Sequence, residues 1–385
     1  MKTTEQLLKE NQAWANEIIE KLDKKMSVVA VRSRKKLPYG YDENGMHIDL
    51  STERSNFWTN GFFGGTCAML YDYTKNEEYL KTLHSSEKLL DKAFEEKYED
   101  LHHDVGFMWY LVSGANYRLT GCPQSRKRLF YAASTLMGRF ITGGNYIKAW
   151  NTDAAYNYSI IDSLMNLPLL YWASLEFKDD RYKRVAMAHA DNAIKTHMRD
   201  DGSIAHIVEH DRDTGELVAT HAGQGYAIGS AWSRGQSWAV YGFTISYIHT
   251  GEQRYLDAAK RIANYFIAAV SDDWLPRLDF RSPDEPTYYD STAGAIAACG
   301  LLELGRILPE LEGGMYTNAA INILKAMTEN FCNFNPETDD FLGFGSEAYP
   351  NNPDFTPMTN TPIIYGDFFY TEAILKILKS KFFMW

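Results

Sequence analysis

The chain has 385 residues, of which 45% are hydrophobic and 23% are charged, and its formal net charge is −11. This length suits one large domain or two ordinary ones, and the hydrophobic content supports a sizeable core and argues against disorder. The acidic balance, without a long basic run, argues against nucleic-acid binding, so an anionic ligand would need a local positive pocket.

The cysteines and the N-terminal segment point to an intracellular chain. The four cysteines are far apart and form no CxxC or Cys/His cluster, which predicts reduced core residues and no metal site. They are Cys67, Cys122, Cys299 and Cys332. The N-terminal segment reads as a polar amphipathic helix without an apolar signal core, and no uncharged apolar stretch approaches about 18 residues. We therefore predict a soluble, cytoplasmic protein that binds no membrane.

Helical periodicity dominates, and the predicted helices are of two kinds. One kind is charged and amphipathic, with apolar residues at i, i+3, i+4 and i+7, which predicts one solvent-exposed face. These segments are residues 4–26, 74–96, 122–141, 179–198, 250–270 and 312–331, with Thr74, Asp179 and Thr250 as predicted N-caps. The other kind is apolar or small nearly all round, which predicts a buried helix. These segments are residues 61–74, 104–120, 162–177, 234–250, 290–307 and 366–378.

The two kinds of helix alternate along the chain, six of each, with a weak repeat of roughly 60 residues. Six helical hairpins that close on themselves form an all-α (α/α)6 barrel, with the apolar helices as the inner ring. We predict this fold, as a single domain over residues 1–385. The alternative is an open α-solenoid, which would need polar caps and a more regular repeat.

The loops that precede the inner helices define the candidate site. All inner helices would begin at the same end of the barrel, and helix N-termini carry unsatisfied N–H groups and partial positive charge. Several such ends around one mouth favour an anionic ligand even on an acidic protein. The loops are FWTNGFFGG, LHHDVGFMW, YSIIDSL, SAWSRGQSW, YYDSTAG and IIYGDFF.

Four of these loops carry an aspartate at the expected helix start. Capping alone explains Asp290 and Asp367. Asp104 follows two histidines, and Asp162 lies in an uncharged stretch where Pro168 comes too soon for a regular helix capped at residue 162. A buried, unpaired carboxylate usually becomes neutral by raising its pKa. Two carboxyl groups in different environments suit acid/base chemistry on sugars, so Asp104 and Asp162 are either catalytic or helix caps.

Other polar and aromatic residues of the mouth leave two interpretations open. His206 and His221 flank a predicted β-hairpin or long loop with the turn DRDTGE, and no tight ligand spacing supports a metal site there. Arg234 could bind a ligand carboxylate or form a structural ion pair. Trp58 and Trp150 also lie in mouth loops, where they could stack on sugar rings or simply pack the loops.

The stretches HHDVGFMW, IIDSLMNLPLLYW, HAGQGYA with SAWSRGQSW, and IIYGDFFYTEAILK occur in this order along the chain. Together they resemble the unsaturated glucuronyl hydrolases of glycoside hydrolase family 88, from about Trp58 to the C-terminus. The resemblance implies an (α/α)6 barrel that releases a 4,5-unsaturated uronic acid from the non-reducing end of oligosaccharides. Polysaccharide lyases leave such ends on hyaluronan, chondroitin and related glycosaminoglycans. No metal or organic cofactor is implied.

The resemblance also implies a mechanism and roles for residues. An acid protonates C4 of the vinyl ether, water adds at C5, and the hemiketal opens and expels the aglycone, so the carboxylate-separation rule for ordinary glycosidases does not apply. Asp162 matches the acid, which apolar surroundings would keep protonated, and Asp104 matches a carboxylate that binds sugar hydroxyls and tunes Asp162. The matching substrate-binding residues are His206, Gln224 and Arg234 for the uronate, and Trp58, Trp150 and Trp238 for the sugar rings.

Some family members that prefer sulfated substrates carry an S-x-x-S-x-K run near the C-terminus. The matching stretch here, SEAYPNNPDFTPMTNTPIIYG, has no such run, which weakens a prediction of sulfate preference. An unsaturated rhamnogalacturonyl hydrolase, acting on pectin-derived disaccharides by the same chemistry, is the alternative function. A sugar-binding protein without catalysis and a helical scaffold for protein partners are further alternatives, because fold alone does not fix function.

Overall fold

The computed structural model describes residues 2–152, 157–351 and 356–385. Its α-helices are α1 (Thr4–Arg32), α2 (Phe62–Thr74), α3 (Glu77–Glu96), α4 (Ala115–Thr120), α5 (Pro123–Met137), α6 (Leu167–Phe177), α7 (Asp180–Thr196), α8 (Ser233–Thr250), α9 (Gln253–Ala269), α10 (Ser291–Ile307), α11 (Glu310–Phe331) and α12 (Ile364–Ile377). A π-helix, Gly106–Gly114, runs directly into α4, and short 3-10 helices cover Trp58–Gly61, Tyr98–Asp100 and Ile161–Asn166. Within the described ranges, no helix is both long and apolar enough to cross a membrane.

The strands are short and lie in the loops between helices. They are β1 (Pro38–Tyr41), β2 (His47–Asp49), β3 (Phe140–Ile141), β4 (Tyr146–Ile147), β5 (Tyr158–Ile160), β6 (Ile207–His210) and β7 (Leu217–His221). β1 pairs with β2 and β3 with β4, and β5, β6 and β7 form an antiparallel sheet in that order. The predicted hairpin between His206 and His221 is therefore confirmed as β6 and β7.

The inner helices form a closed ring. The apolar helices are α2, the π-helix with α4, α6, α8, α10 and α12; each packs against the next, and α12 packs against α2. The charged helices α3, α5, α7, α9 and α11 pack against the outside of this ring, and α1 lies against α11, α12 and α3. Closure of the ring confirms the predicted (α/α)6 barrel and excludes the open solenoid, whose end helices would not touch.

The helix boundaries test the predicted N-caps. Asp179 is confirmed, because its carboxylate accepts a hydrogen bond from the Arg181 N–H at the start of α7. The predictions for Thr74 and Thr250 are wrong, since each is the last residue of an inner helix. Their hydroxyls donate to the carbonyl oxygen four residues earlier, and Asn76 caps α3 instead.

Two inner helices begin with irregular turns at the barrel mouth. The 3-10 helix Ile161–Asn166 precedes α6, whose first turn contains Pro168. Proline is tolerated in a first helical turn because the N–H it lacks would have no partner there. Asp162 therefore lies one turn outside the regular helix, which confirms that it is not a simple cap of α6.

The opposite end of the barrel, which we call the base, contains a compensated cluster of charges. Lys376 Nζ lies 2.6 Å from Glu303 Oε1 and 3.3 Å from Glu372 Oε1. Glu372 also accepts hydrogen bonds from the Tyr241 hydroxyl at 2.5 Å and from Trp385 Nε1 at 3.0 Å. A cavity of about 760 Å³ opens beside this cluster, and the predicted catalytic residues do not line it.

Candidate active site

The two predicted catalytic carboxyl groups lie together at the barrel mouth. Asp104 lies two residues before the π-helix, and Asp162 lies in the 3-10 helix before α6. The side-chain amide of Asn166 touches both segments: its Nδ2 lies 3.2 Å from Asp104 Oδ1 and 3.4 Å from the Asp162 carbonyl oxygen. Neither carboxylate accepts from the N-terminal turn of its own helix, so, in the described part of the chain, neither is a cap.

Strand register brings His206 to Asp162. Ile160 of β5 pairs with Ile207 of β6, and the ladder continues with the Ile161 N–H donating to the His206 carbonyl oxygen at 3.1 Å. Asp162 follows Ile161 in the 3-10 helix just beyond β5, and its Oδ2 lies 3.6 Å from His206 Nε2. Two residues that are far apart in sequence therefore become neighbours through the pairing of two short strands.

The hydrogen bonds of His206 fix which ring nitrogen carries the proton. The Gln224 N–H donates to His206 Nδ1 at 3.0 Å, which is shorter than the 3.4 Å separation of Nδ1 from the Ala222 carbonyl oxygen. Nδ1 is therefore an acceptor, and in the neutral ring the proton lies on Nε2, directed at Asp162. Asp162 Oδ2 and His206 Nε2 are both buried and have no hydrogen-bond partner within the described ranges.

Asp162 is ionised in this structure. Burial favours the neutral acid, but the neighbouring His206, together with His103 and Arg234, outweighs this effect and holds the pKa of Asp162 below its ordinary value. The prediction that apolar surroundings keep Asp162 protonated is therefore wrong. The stretch around Asp162 is uncharged in sequence, but the groups that face it come from other segments.

Asp104 is the protonated member of the pair. Burial raises the pKa of Asp104 to about 7, against the opposing effect of His102, and the charge of Asp162 adds to the rise. The geometry agrees: His103 Nδ1 donates to the Ala149 carbonyl oxygen at 2.7 Å, so the neutral His103 ring presents its Nε2 lone pair to Asp104 Oδ2, 3.3 Å away. Burial lowers the pKa of both His102 and His103 to about 4, so these rings are neutral at pH 7.

Arg139, which the sequence analysis missed, supports this end of the site. Its buried guanidinium donates to four backbone carbonyl oxygens and to the Asn151 side chain, and the carbonyls are those of Leu101, Lys148, Ala149 and Trp150. It thereby ties the segment before Asp104 to the Trp150 loop. Its sequence context, an amphipathic outer helix, gave no signal for this role.

Arg234 and Gln224 hold protein segments in place. Arg234 is 1% exposed, lies 2.5 Å from Asp290 Oδ2, and donates to the carbonyl oxygens of Ser346 and Glu347. Gln224 Nε2 donates to the same Glu347 oxygen at 2.5 Å. The structural ion pair that was one interpretation of Arg234 is therefore present, and the binding of a uronate by Arg234 stays a prediction.

The C-terminal stretch that lacks the S-x-x-S-x-K run begins at the segment these two side chains hold. Residues 346–351 and 356–366 of that stretch are described, and residues 352–355 lie outside the described residues. Asp290, predicted as a cap, accepts from the Thr292 N–H and is confirmed. Asp367 instead accepts from the Leu342 N–H and the Tyr41 hydroxyl, so the capping interpretation is wrong for it.

The three predicted sugar-stacking tryptophans are not equivalent. Trp58 is partly exposed and packs against Tyr365, with ring centroids 5.0 Å apart. Trp150 is partly exposed and contacts His103 edge-on at 6.0 Å. Trp238 is completely buried against Phe107, and its predicted contact with a sugar ring stays a prediction.

Three donor atoms converge beside Asp104. His102 Nδ1, His103 Nε2 and Asp104 Oδ2 all lie within 4.8 Å of one another, and this is the one such group of at least three histidine, cysteine or acidic side chains in the described ranges. A proton on Asp104 satisfies these contacts without an ion. That the site needs no metal stays a prediction.

Comparison with known proteins points to one family. The sequence profile described as Glycosyl Hydrolase Family 88 matches residues 30–275. An unsaturated glucuronyl hydrolase of Bacillus sp. strain GL1 is 35% identical over 340 residues, covering 85% of this chain and 88% of the relative. An unsaturated chondroitin disaccharide hydrolase of Streptococcus pneumoniae is 30% identical, covering 85% and 83%. The crystal structure of the unsaturated glucuronyl hydrolase from Bacillus sp. GL1 superimposes with a TM-score of 0.85 at 31% identity, covering 92% of this chain and 95% of that one.

Proposed function

The chain belongs to glycosyl hydrolase family 88, and we propose that it releases the 4,5-unsaturated uronic acid from the non-reducing end of glycosaminoglycan oligosaccharides produced by lyases. Chondroitin and hyaluronan disaccharides are the proposed substrates, because the relatives are named for glucuronyl and chondroitin disaccharide hydrolysis. The names of these relatives give no support to the pectin-derived alternative. A cytoplasmic location is part of the proposal, and cell fractionation tests it.

One observation carries the proposal: the mouth holds two buried carboxyl groups in opposite ionisation states. Asp104 has a pKa of about 7 and Asp162 has a pKa below its ordinary value. Hydration of a vinyl ether needs one proton donor for carbon and one proton acceptor for water. A pair of carboxyl groups that share a single proton supplies both roles.

The proposed reaction balances within this pair. The C4=C5 π electrons take a proton from the acid, which leaves an oxocarbenium ion at C5 stabilised by the ring oxygen. Water adds at C5 while its proton passes to the carboxylate, so the pair regains the proton that it gave to C4. The C5 hemiketal then opens to a ketone, and the hemiacetal left at C1 expels the aglycone as an alcohol.

The substrate itself decides which carboxyl group delivers the proton. A uronate that approaches His206 brings a negative charge to the groups that keep Asp162 ionised, and like charge favours the protonated acid. We therefore assign Asp162 as the acid in the complex and Asp104 as the group that holds the proton in the free enzyme. This assignment reconciles the role implied by the family resemblance with the lowered pKa of Asp162.

The test is loss of the ultraviolet absorbance of the conjugated enol ether. Unsaturated chondroitin, hyaluronan and rhamnogalacturonan disaccharides would each be incubated with the protein and with Asp162→Asn. Turnover of a glycosaminoglycan disaccharide by the wild-type protein, abolished by the substitution, is the expected result. Turnover of the rhamnogalacturonan product alone would overturn the proposed substrate, and turnover of none of the three would overturn the proposed function.

A further inference from the structure

Asn166 connects the two segments that carry the catalytic carboxyl groups. It is the last residue of the 3-10 helix that contains Asp162, and it is completely buried. Its Oδ1 accepts from the Phe107 N–H at 2.8 Å, in the first turn of the π-helix that follows Asp104. One side chain therefore connects two segments that are separated in the sequence by more than one helical hairpin.

The Phe107 contact fixes the orientation of the Asn166 amide. A backbone N–H can only donate, so it must face the amide oxygen, and the NH2 group must face the other way. That NH2 group meets Asp104 Oδ1 at 3.2 Å. Asp104 Oδ1 is thereby occupied by a donor, and Oδ2 is the oxygen that faces His102 and His103.

The close approach of the two segments depends on a glycine. A Cβ atom at Gly106 would lie 2.5 Å from Asn166 Oδ1 and 2.9 Å from its Cα. Any larger residue would push the π-helix away from Asn166 and break the Phe107 hydrogen bond. The backbone is therefore shaped so that this amide can reach Asp104.

We propose that Asn166 is a positioning residue: by donating to Oδ1 of Asp104, it fixes the rotamer of that side chain and directs the proton to Oδ2. A carboxyl proton on Oδ2 can be donated to the His103 Nε2 lone pair, whereas a proton on Oδ1 would clash with the Asn166 N–H. The inference rests on the proposed function for its catalytic consequence but not for its structural content. It concerns the position of the proton before substrate binds.

Other titratable groups also face Asp104. His102 and His103 come from its own loop, Asp162 from the 3-10 helix, and Arg139 from the segment after α5. Among the neighbours of Asp104, the Asn166 hydrogen bond acts to lower the pKa of Asp104 and the Asp162 charge acts to raise it. Removing the Asn166 donor should therefore raise the pKa of Asp104 while the other groups remain.

Two nearly isosteric substitutions test the role of the donor. Asn166→Leu removes it, and we expect kcat to fall about 100-fold, the effect of misplacing a catalytic group by about an ångström, with a much smaller change in KM. The alkaline limb of the kcat/KM profile should move to higher pH. Asn166→Asp keeps an acceptor for Phe107, and its carboxyl can donate to Asp104 only when protonated. Activity of Asn166→Asp should therefore recover towards wild type as the pH falls, whereas that of Asn166→Leu should not.

Asn116 offers a matched control at the other end of the barrel. It is 1% exposed, and its Nδ2 donates to Glu87 and Ser125 at 2.9 Å. Asn116→Leu should lower the melting temperature but leave kcat and the pH profile of the folded enzyme unchanged. If the activity of the Asn166 variants falls only in proportion to the unfolded fraction, as in this control, the positioning role is wrong.

A measurement without substrate separates this inference from the proposed function. In protein labelled with 13C-aspartate, the Asp104 carboxyl signal is identified by its loss in Asp104→Asn. We expect its titration midpoint to be higher in Asn166→Leu than in the wild-type protein and unchanged in Asn116→Leu. An unchanged midpoint in Asn166→Leu would overturn the inference even if the enzyme is active. A raised midpoint would support it even if none of the three disaccharides is hydrolysed.

Discussion

The mouth and the base of the barrel both contain buried pairs of acids, but only the pair at the base shares a lysine. At the base, Lys376 lies between Glu303 and Glu372, and burial of Glu303 is outweighed so that its pKa is below the ordinary value. At the mouth, no lysine or arginine of the described residues forms an ion pair with Asp104 or Asp162. Removing the cation from a buried ion pair is strongly destabilising, whereas a buried acid without an ion-pair partner, such as Asp104 with its pKa of about 7, can exchange protons with a ligand.

The two regions also differ in their hydrogen bonds. Glu372 is saturated by the Tyr241 hydroxyl and the Trp385 indole. Asp162 Oδ2 faces His206 Nε2 across 3.6 Å, and, across the ranges described, both atoms are unsatisfied. Unsatisfied buried polar atoms are costly, and under the proposed function a bound sugar would supply partners for this pair.

The largest expected effect comes from removing the mouth acid. Asp162→Asn should lower kcat by about 1,000-fold or more, because it removes both the acid and the base that follows it. The fold should be retained, since the side chain is nearly isosteric. Enol-ether absorbance gives the rate, and Asp179→Asn, at a surface helix cap where asparagine serves equally well, is the matched control. Equal rates in both variants would contradict the assignment.

The base should respond to substitution in the opposite way. Lys376→Met leaves two buried carboxylates without their shared cation, and we expect a loss of about 3–5 kcal/mol of unfolding free energy. Denaturant unfolding measures this loss. The pH profile of the folded variant should match the wild type, and a shifted profile would show that the base communicates with the site.

A smaller effect is expected for the indole donor at the base. Trp385→Phe removes the hydrogen bond from Nε1 to Glu372 but keeps the aromatic packing against Phe369. We expect a loss of about 2 kcal/mol, the size of a hydrogen bond to a charged group. Thermal unfolding measures it, with Phe382→Leu, elsewhere in the same C-terminal segment, as a comparison. An unaltered melting temperature would mean that other donors satisfy Glu372.

The smallest expected effect is the change of kcat/KM and of stability with pH. Asp104 must hold the proton, so kcat/KM should fall about tenfold per pH unit above its pKa of about 7. The raised pKa also means that the folded state binds more protons than the unfolded state between the ordinary pKa and pH 7, so stability from this group falls as pH rises through that window. Asp104→Asn should therefore raise the melting temperature at pH 7 while abolishing the limb. If kcat/KM of Asp104→Asn still declines above pH 7, another group is responsible for that decline.

The barrel could be predicted because burial is periodic in the sequence. The apolar helix predicted over residues 234–250 is observed at Ser233–Thr250, and its charged partner, predicted over 250–270, at Gln253–Ala269. The irregular turns at the starts of the inner helices were harder to predict from the sequence. The π-helix after Asp104 depends on Gly106 packing against Asn166, which is a contact between distant segments.

The site was predicted in part. Asp104 and Asp162 stand out because a charged residue in an apolar stretch is visible locally, and Asn166 could have been noticed because it lies four residues after Asp162. The ionisation of Asp162 could not be predicted, because the register of β5 and β6 brings His206 to it. The burial of Trp238 was missed for the same reason: only the packed barrel decides which side of an all-apolar helix faces the mouth.

The closed ring has a consequence for synthesis of the protein. α2 leaves the ribosome long before α12, yet the two must pack together before the mouth is complete. The loop that Arg234 and Gln224 hold is also made long after Asp104 and Asp162. A nascent chain can thus carry both acids while its apolar helices still lack their neighbours, and such a chain exposes surfaces that aggregate. Enzymatic activity should therefore be gained late and all at once, which makes it a sensitive reporter of complete assembly in refolding experiments.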